Sequence, residues 1–250
     1  LLDLSRFLLK SSADFDIKGT VRSPVTSGGA RLEKGDYENF NTGSIIKDIT
    51  MEVSADSKRF ILNSISGTDG ADGKVSGKGW FDFSPSMGFP YSLSLNLKNM
   101  IVIRSNTAFF TVSGKPTISG NLNDHTLSGK FTVEKGEYKI PERLPAEITE
   151  LNVTEINKPE HEQAPEKKEA LKKTVINLDT SVTGTGQIYL TGRGLNSEWK
   201  GDINLKGTTV EPIIIGRLSV LRGSYNFLGK RFELTEGQID LDGSYPAAPY

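Results

Sequence analysis

Apolar and polar residues alternate with period two along almost the whole chain. The clearest run covers residues 91–103, where Tyr91, Leu93, Leu95, Leu97, Ile101 and Ile103 share one parity against Ser92, Ser94, Asn96, Lys98 and Arg104. Successive side chains of an extended strand point to opposite faces, so each such run predicts a strand with one apolar side. Other ladders are Val75, Phe81 and Phe83 with Gly77 and Gly79 between; Leu127, Phe131 and Val133; and Ile176, Leu178, Val182, Ile188 and Leu190. Trp199, Ile203 and Leu205, then Ile239 and Leu241, continue the series. At about 3.3 Å per residue the 91–103 ladder would extend roughly 43 Å, well beyond the usual strand of about 5 or 6 residues. Strands of that length predict a long, curved sheet.

Glycine punctuates the pattern. Asp69-Gly70 and Asp72-Gly73 are hairpin-turn dipeptides, because glycine tolerates the positive φ of tight turns. Gly184 and Gly186, inside a ladder, predict a bend or bulge. Two segments break the alternation. Residues 1–9 carry Leu1, Leu4, Leu8 and Leu9 at helical spacing and predict a short amphipathic helix or a severed end. Residues 157–173, NKPEHEQAPEKKEALKK, hold too little apolar surface to offset ordering entropy and predict a flexible charged insertion between strands.

One unit recurs. GTVRSPVTSGGARLEKGDY (19–37) and GTTVEPIIIGRLSVLRGSY (207–225) match at Gly28, Gly35 and Tyr37 against Gly216, Gly223 and Tyr225, with Pro24 against Pro212. A middle copy carries Gly129, Gly136 and Tyr138, and a basic residue precedes the second glycine each time: Lys34, Lys135 and Arg222. Repeated strand units that cannot bury their apolar faces alone stack in one direction, so the expectation is a single elongated module over residues 1–250.

Charge and chemistry change this picture little. A net charge of −1 provides no basic field for nucleic acid or an anionic bilayer. The absence of cysteine excludes disulfides and thiolate chemistry. No run approaches the roughly 18 apolar residues of a membrane-spanning helix, and the ends at Leu1 and Tyr250 read as those of an excised fragment. His125 and His161 stand alone, without a second histidine or carboxylate cluster at ligand spacing, and are expected in surface or loop positions rather than in a triad or zinc site. Gly73-Lys74-Val75-Ser76-Gly77-Lys78-Gly79 has the wrong spacing for a phosphate loop. Asp69, Asp72 and Asp124 suggest turns ahead of a calcium site, and Trp80 and Trp199 suggest packing or strand-edge cover. No cofactor, metal or catalytic group is expected.

One face of each ladder is wet and the other must be covered. In a sandwich or small barrel a second layer covers it. In an open trough an apolar guest does, and an aliphatic concave surface of a few hundred Å² marks a binding site. The ladders alone leave both possible.

Three stretches decide for the second. GKFTVEKGEYKIPERLPAEITELNV (129–153), GQIYLTGRGLNSEWKGDINLKGTTVEP (186–212) and GRLSVLRGSYNFLGKRFELTEGQIDLDGSYPAAPY (216–250) resemble the C-terminal region of the TamB family of the translocation and assembly module, among the AsmA-like bridge proteins. The similarity extends more loosely to residues 15–83. It implies an all-β, elongated U-shaped sheet, or β-taco, with a hydrophobic interior groove. It also implies a periplasmic segment of an inner-membrane-anchored Gram-negative protein whose far end meets an Omp85-type outer-membrane barrel, with roles in phospholipid transport and outer-membrane assembly. The expected groove lining is Phe81, Phe83, Leu93, Leu95, Leu97, Ile101, Ile103, Leu127, Phe131, Val133, Val182, Ile188, Leu190, Ile203, Leu205, Leu218, Val220, Ile239 and Leu241, holding phospholipid acyl chains. The rivals are a mechanical β-solenoid of an adhesin or autotransporter, and a transmembrane barrel, which the aromatic fraction of 8% disfavours.

Overall fold

The computed structural model describes residues 5–20, 23–142 and 174–244. They form one sheet of fourteen strands. The first seven are β1 (Ser5–Thr20), β2 (Ser23–Asn39), β3 (Ser44–Ser57), β4 (Arg59–Thr68), β5 (Lys74–Asp82), β6 (Tyr91–Arg104) and β7 (Ala108–Gly114). The rest are β8 (Thr117–Gly120), β9 (His125–Lys139), β10 (Ile176–Gly192), β11 (Leu195–Gly207), β12 (Pro212–Phe227), β13 (Lys230–Leu234) and β14 (Gln238–Asp242). The only helical element among the described residues is a single 3-10 turn, Pro85–Met87. The expected all-β sheet is therefore what the chain forms. Over residues 5–9 the predicted helix is corrected: these residues lie in β1, and Phe7 and Leu9 pair with Tyr37 and Gly35 of β2, while Leu1 and Leu4 lie outside the described residues. The pairing of Phe7 and Leu9 on one face outweighs the helical spacing of four leucines. The charged stretch 157–173 lies outside the described residues.

Neighbouring strands pair antiparallel, except β9 and β10, which run parallel from His125 beside Ile176 to Lys139 beside Thr191. Parallel strands require a connection of a dozen or more residues, and the interval between Glu142 and Thr174 supplies it. β1 pairs only with β2, while β13 and β14 pair only with β12. Among the described residues the two edges never pair with each other, so the sheet is open and does not close into a barrel.

Bulges in six strands fall close to one line across the sheet. They fall at Glu33 in β2, Asp48 in β3, Asn99 in β6, Glu134 in β9, Gly184/Ile188 in β10 and Leu221 in β12, while β4 is bulged farther out, around Asn63. The predicted irregularity at Gly184 and Gly186 belongs to this line. A bulge bends its strand and sharpens its twist, so aligned bulges crease the whole sheet. Asp48, Asn99 and Gln187 sit at the crease with φ of 50°, 50° and 57°, unusual for residues other than glycine. Each has its backbone N–H satisfied from a neighbouring strand. Asp36 Oδ1 accepts from Asp48 N at 3.1 Å, Ser113 Oγ from Asn99 N at 3.0 Å, and Glu198 Oε1 from Gln187 N at 3.0 Å.

Among the described residues, burial of apolar side chains follows the crease. The buried apolar residues are Leu32, Val75, Met100 and Val112, all on one face and all at or beside the bulge line. Toward the strand ends the same face opens: Phe81 is 37% exposed, Tyr138 44%, Phe232 50% and Phe7 61%. A flat single layer would expose every position equally and a sandwich would bury them all. A gradient from crease to margin is the signature of a sheet folded into a U, and it matches the expected architecture.

A candidate apolar trough

Cross-strand partners share a face, so the register follows the inner surface from one edge to the other. Phe15, Gly28, Ala55 and Phe60 are one continuous row over β1 to β4. Gly77 and Leu95, then Gly79 and Leu93, continue into β5 and β6. Leu97, Gly114, Phe131, Val182, Ile203 and Gly216 form another row from β6 to β12. All of the predicted lining residues in strands fall on this surface except Ile101.

The register of β6 explains that exception. An unbroken alternation over residues 91–103 is corrected by two bulges, between Leu97 and Met100 and between Ile101 and Ile103. Met100 pairs with Val112 on the inner face, whereas Ile101 pairs with Thr111 on the outer one. Ile103 returns to the inner face beside Phe110. Phe83 follows the end of β5, where its ring meets Phe89 at 5.4 Å. The lining that the ladders missed includes Leu32, Phe60, Met100, Phe110, Val112 and Ile118. Phe110 and Val112 alternate visibly in AFFTVSG, but Met100 could be found only by knowing where the bulge falls.

Small residues shape the surface between the large ones. Phe15 and Phe60 stand three strands apart, yet their rings meet at 5.6 Å over Gly28 and Ala55. The contacts continue through Phe81 and Phe89 at 6.2 Å each, so aromatic rings run along one margin from β1 to the β5–β6 loop. Gly136 leaves room for Phe110 and Ile188 on either side. The three copies of the repeat have equivalent structures. Gly28, Gly129 and Gly216 all have positive φ (116°, 136° and 156°) on β2, β9 and β12, and each lies against a backbone carbonyl of the preceding strand or loop. Tyr37, Tyr138 and Tyr225 then stand on the inner face near the opposite margin.

Among the described strand pairs the inner face carries no carboxylate, and its one lysine is Lys230 at the tip of the β12–β13 hairpin. Charges gather outside. Arg31 meets Glu52 at 3.1 Å, Arg59 meets Asp82 at 2.5 Å, Arg217 meets Asp240 at 2.6 Å and Arg222 meets Glu198 at 2.7 Å, each across adjacent strands. The Gln187 N–H and then Arg222 hold the Glu198 carboxyl below its ordinary range. Arg59 does the same for Asp82, and Arg217 with Gln238 for Asp240.

The candidate chemistry resolves into structure. Asp69 accepts from the N–H groups of Ala71 and Gly73 at 2.8 and 3.0 Å and from Ile101 N at 3.0 Å, tying the β4–β5 turn to β6. No cluster of metal-ligating side chains exists among the described residues. Trp80 lies outside beneath Arg59, 4.6 Å from its ring centre, while Trp199 lies inside and donates to Ser197 Oγ at 2.9 Å. His161 is outside the described residues. His125 opens β9 directly after a turn, half-buried on the inner face, 2.8 Å from the Tyr91 hydroxyl.

An open β-layer creased lengthwise, nearly uncharged and apolar within and ion-paired without, defines a trough protein rather than a packed globule. The family model of the TamB C-terminal domain matches residues 63–250, and the chain belongs to that family of envelope-associated, non-catalytic bridge and assembly modules. Strands β1 to β3 precede the matched part and continue the same sheet. No curated protein and no solved structure is similar enough to the chain to be matched with it.

Proposed function

We propose that residues 1–250 are one stretch of a lipid-conducting bridge in the periplasm, supporting phospholipid transport between the inner and outer membranes and outer-membrane protein assembly. The observation that carries this reading is the inner face. Across fourteen strands it is largely apolar and nearly free of charge, yet among the described residues its large apolar side chains are buried only along the crease. Half-exposed aliphatic surface of this extent is unfavourable in water and gains about 0.8 kcal/mol for each methylene it covers. Acyl chains laid along the trough satisfy it while their head groups stay in water at the open side. No bond chemistry is involved. In this reading the longer protein is anchored in the inner membrane and reaches an Omp85-type barrel through sequence outside this chain. No helix among the described residues is long and apolar enough to cross a membrane.

Photo-crosslinking tests it directly. A photoreactive phenylalanine analogue at Leu95 or Ile188 is expected to capture phospholipid in cells, whereas the same group at Asn96 or Lys200, on the outer face, is not. Equal labelling from both faces, or none from the inner one, would defeat the proposal.

A further inference from the structure

One polar device interrupts the apolar face at its margin. Tyr91 of β6 and His125 of β9 both pair with Gly120 of β8, so their side chains meet over a residue that has none. The Tyr91 hydroxyl lies 2.8 Å from His125 Nδ1, and the ring centroids are 6.0 Å apart. One step toward the crease the same three strands present Leu93, Ile118 and Leu127, and the aliphatic surface continues from there. An acyl chain lying along these strands therefore emerges between a phenol and an imidazole.

We infer that Tyr91 and His125 form a docking site for the anionic oxygens at the polar end of an acyl lipid, the phosphodiester of a phospholipid being the ligand that fits the trough. This rests on the trough holding acyl chains. The bond between them uses one donor and leaves one for an anionic oxygen: Nε2–H where the phenol donates to Nδ1, or the phenol O–H where Nδ1–H donates to the phenol oxygen. Hydrogen bonds to a charged oxygen are about twice as strong as neutral ones. No carboxylate shares the inner face here to repel an anion: Asp179 pairs with Ser128 on the outer face, and Asp124 is exposed in the preceding turn.

The test uses the fact that the chain has two histidines. In protein carrying His161→Gln and nitrogen-15 histidine, only His125 gives imidazole signals. Three probes are titrated: short-chain phosphatidylglycerol, the diacylglycerol with the same chains, and a fatty acid. Phosphatidylglycerol is expected to move the His125 signals, and His125→Gln with Tyr91→Phe to weaken its binding about tenfold, with diacylglycerol binding unchanged. Tyr91→Phe alone, which keeps the ring, gives the same contrast where the double variant does not fold. A tenfold loss for the fatty acid and not for phosphatidylglycerol assigns the site to a carboxylate instead. Equal phosphatidylglycerol binding by variant and parent overturns the site while the trough stands. Failure of both phosphatidylglycerol and diacylglycerol to bind the parent overturns the trough and the site together.

Discussion

Gly28, Gly129 and Gly216 show how much a single hydrogen atom decides in this sheet. Each has a φ between +116° and +156° and faces a backbone carbonyl where a Cβ would stand. Backbone cannot yield as the end of a side chain can, so alanine brings both conformational strain and collision. Gly129→Ala and Gly216→Ala are expected to cost about 2 kcal/mol or more, read as lower urea midpoints. Gly229 is the control, with a φ of +76° and nothing within 4 Å of where a Cβ would stand, so alanine there should cost about 1 kcal/mol of strain alone. The paired carboxylates give a second residue-scale expectation. Glu198 is held below its ordinary value of 4.5, and Asp82 and Asp240 below 3.8. A carboxyl whose folded pKa is depressed contributes stability above its unfolded value and loses it as pH falls through the folded one. Melting temperature should therefore decline as pH drops below 4.5 and onward below 3.8, and Glu198→Gln should make the upper part of that decline shallower. The arginine partners of these carboxylates are exposed, so each effect is small.

At the scale of elements, the bulge line creases the fourteen-stranded sheet, and it depends on capped backbone. Asp36, Ser113 and Glu198 each accept from a positive-φ residue that the ladder leaves unpaired. Replacing one acceptor by alanine removes a hydrogen bond of about 1 kcal/mol. Hydrogen exchange at Asp48, Asn99 or Gln187 should then quicken several-fold, at the affected crease position only; a rise spread over the whole sheet would mean that the caps serve global stability instead. The same line marks where the sequence was legible and where it was not. Alternation alone places Leu93, Leu95 and Leu97 on the inner face, and the Gly-Gly-Tyr repeat announces β2, β9 and β12. A bulge has no such signature when its residue is asparagine or aspartate. Asn99 moves Met100 inward and Ile101 outward, reversing what parity predicts for both. The helical spacing that runs into Leu8 and Leu9 misleads over residues 5–9 for a related reason. Local period is a weak guide where a neighbour such as β2 provides Gly35 and Tyr37 to pair with Leu9 and Phe7.

For the whole molecule the gradient of burial separates positions that hold the trough together from positions that serve what it carries. Met100 at the crease is 5% exposed, so an aspartate there would lose its water without a partner and unfold the sheet. Leu95, short of the crease, and Ile188, beside it, stand on the same face but half-exposed, where a carboxylate keeps part of its hydration and the fold survives. An acyl chain passing either position must strip that hydration or leave the surface, and an uninterrupted apolar path no longer exists. Leu95→Asp with Ile188→Asp is therefore expected to leave the circular-dichroism spectrum and melting cooperativity intact while abolishing lipid capture and transfer between vesicles. Asn96→Asp with Lys200→Asp, the same charge on the outer face, should change neither. Met100→Asp should lose the cooperative melt outright. Normal transfer by a folded Leu95→Asp, Ile188→Asp variant would mean that lipids do not travel along this face, however apolar it is.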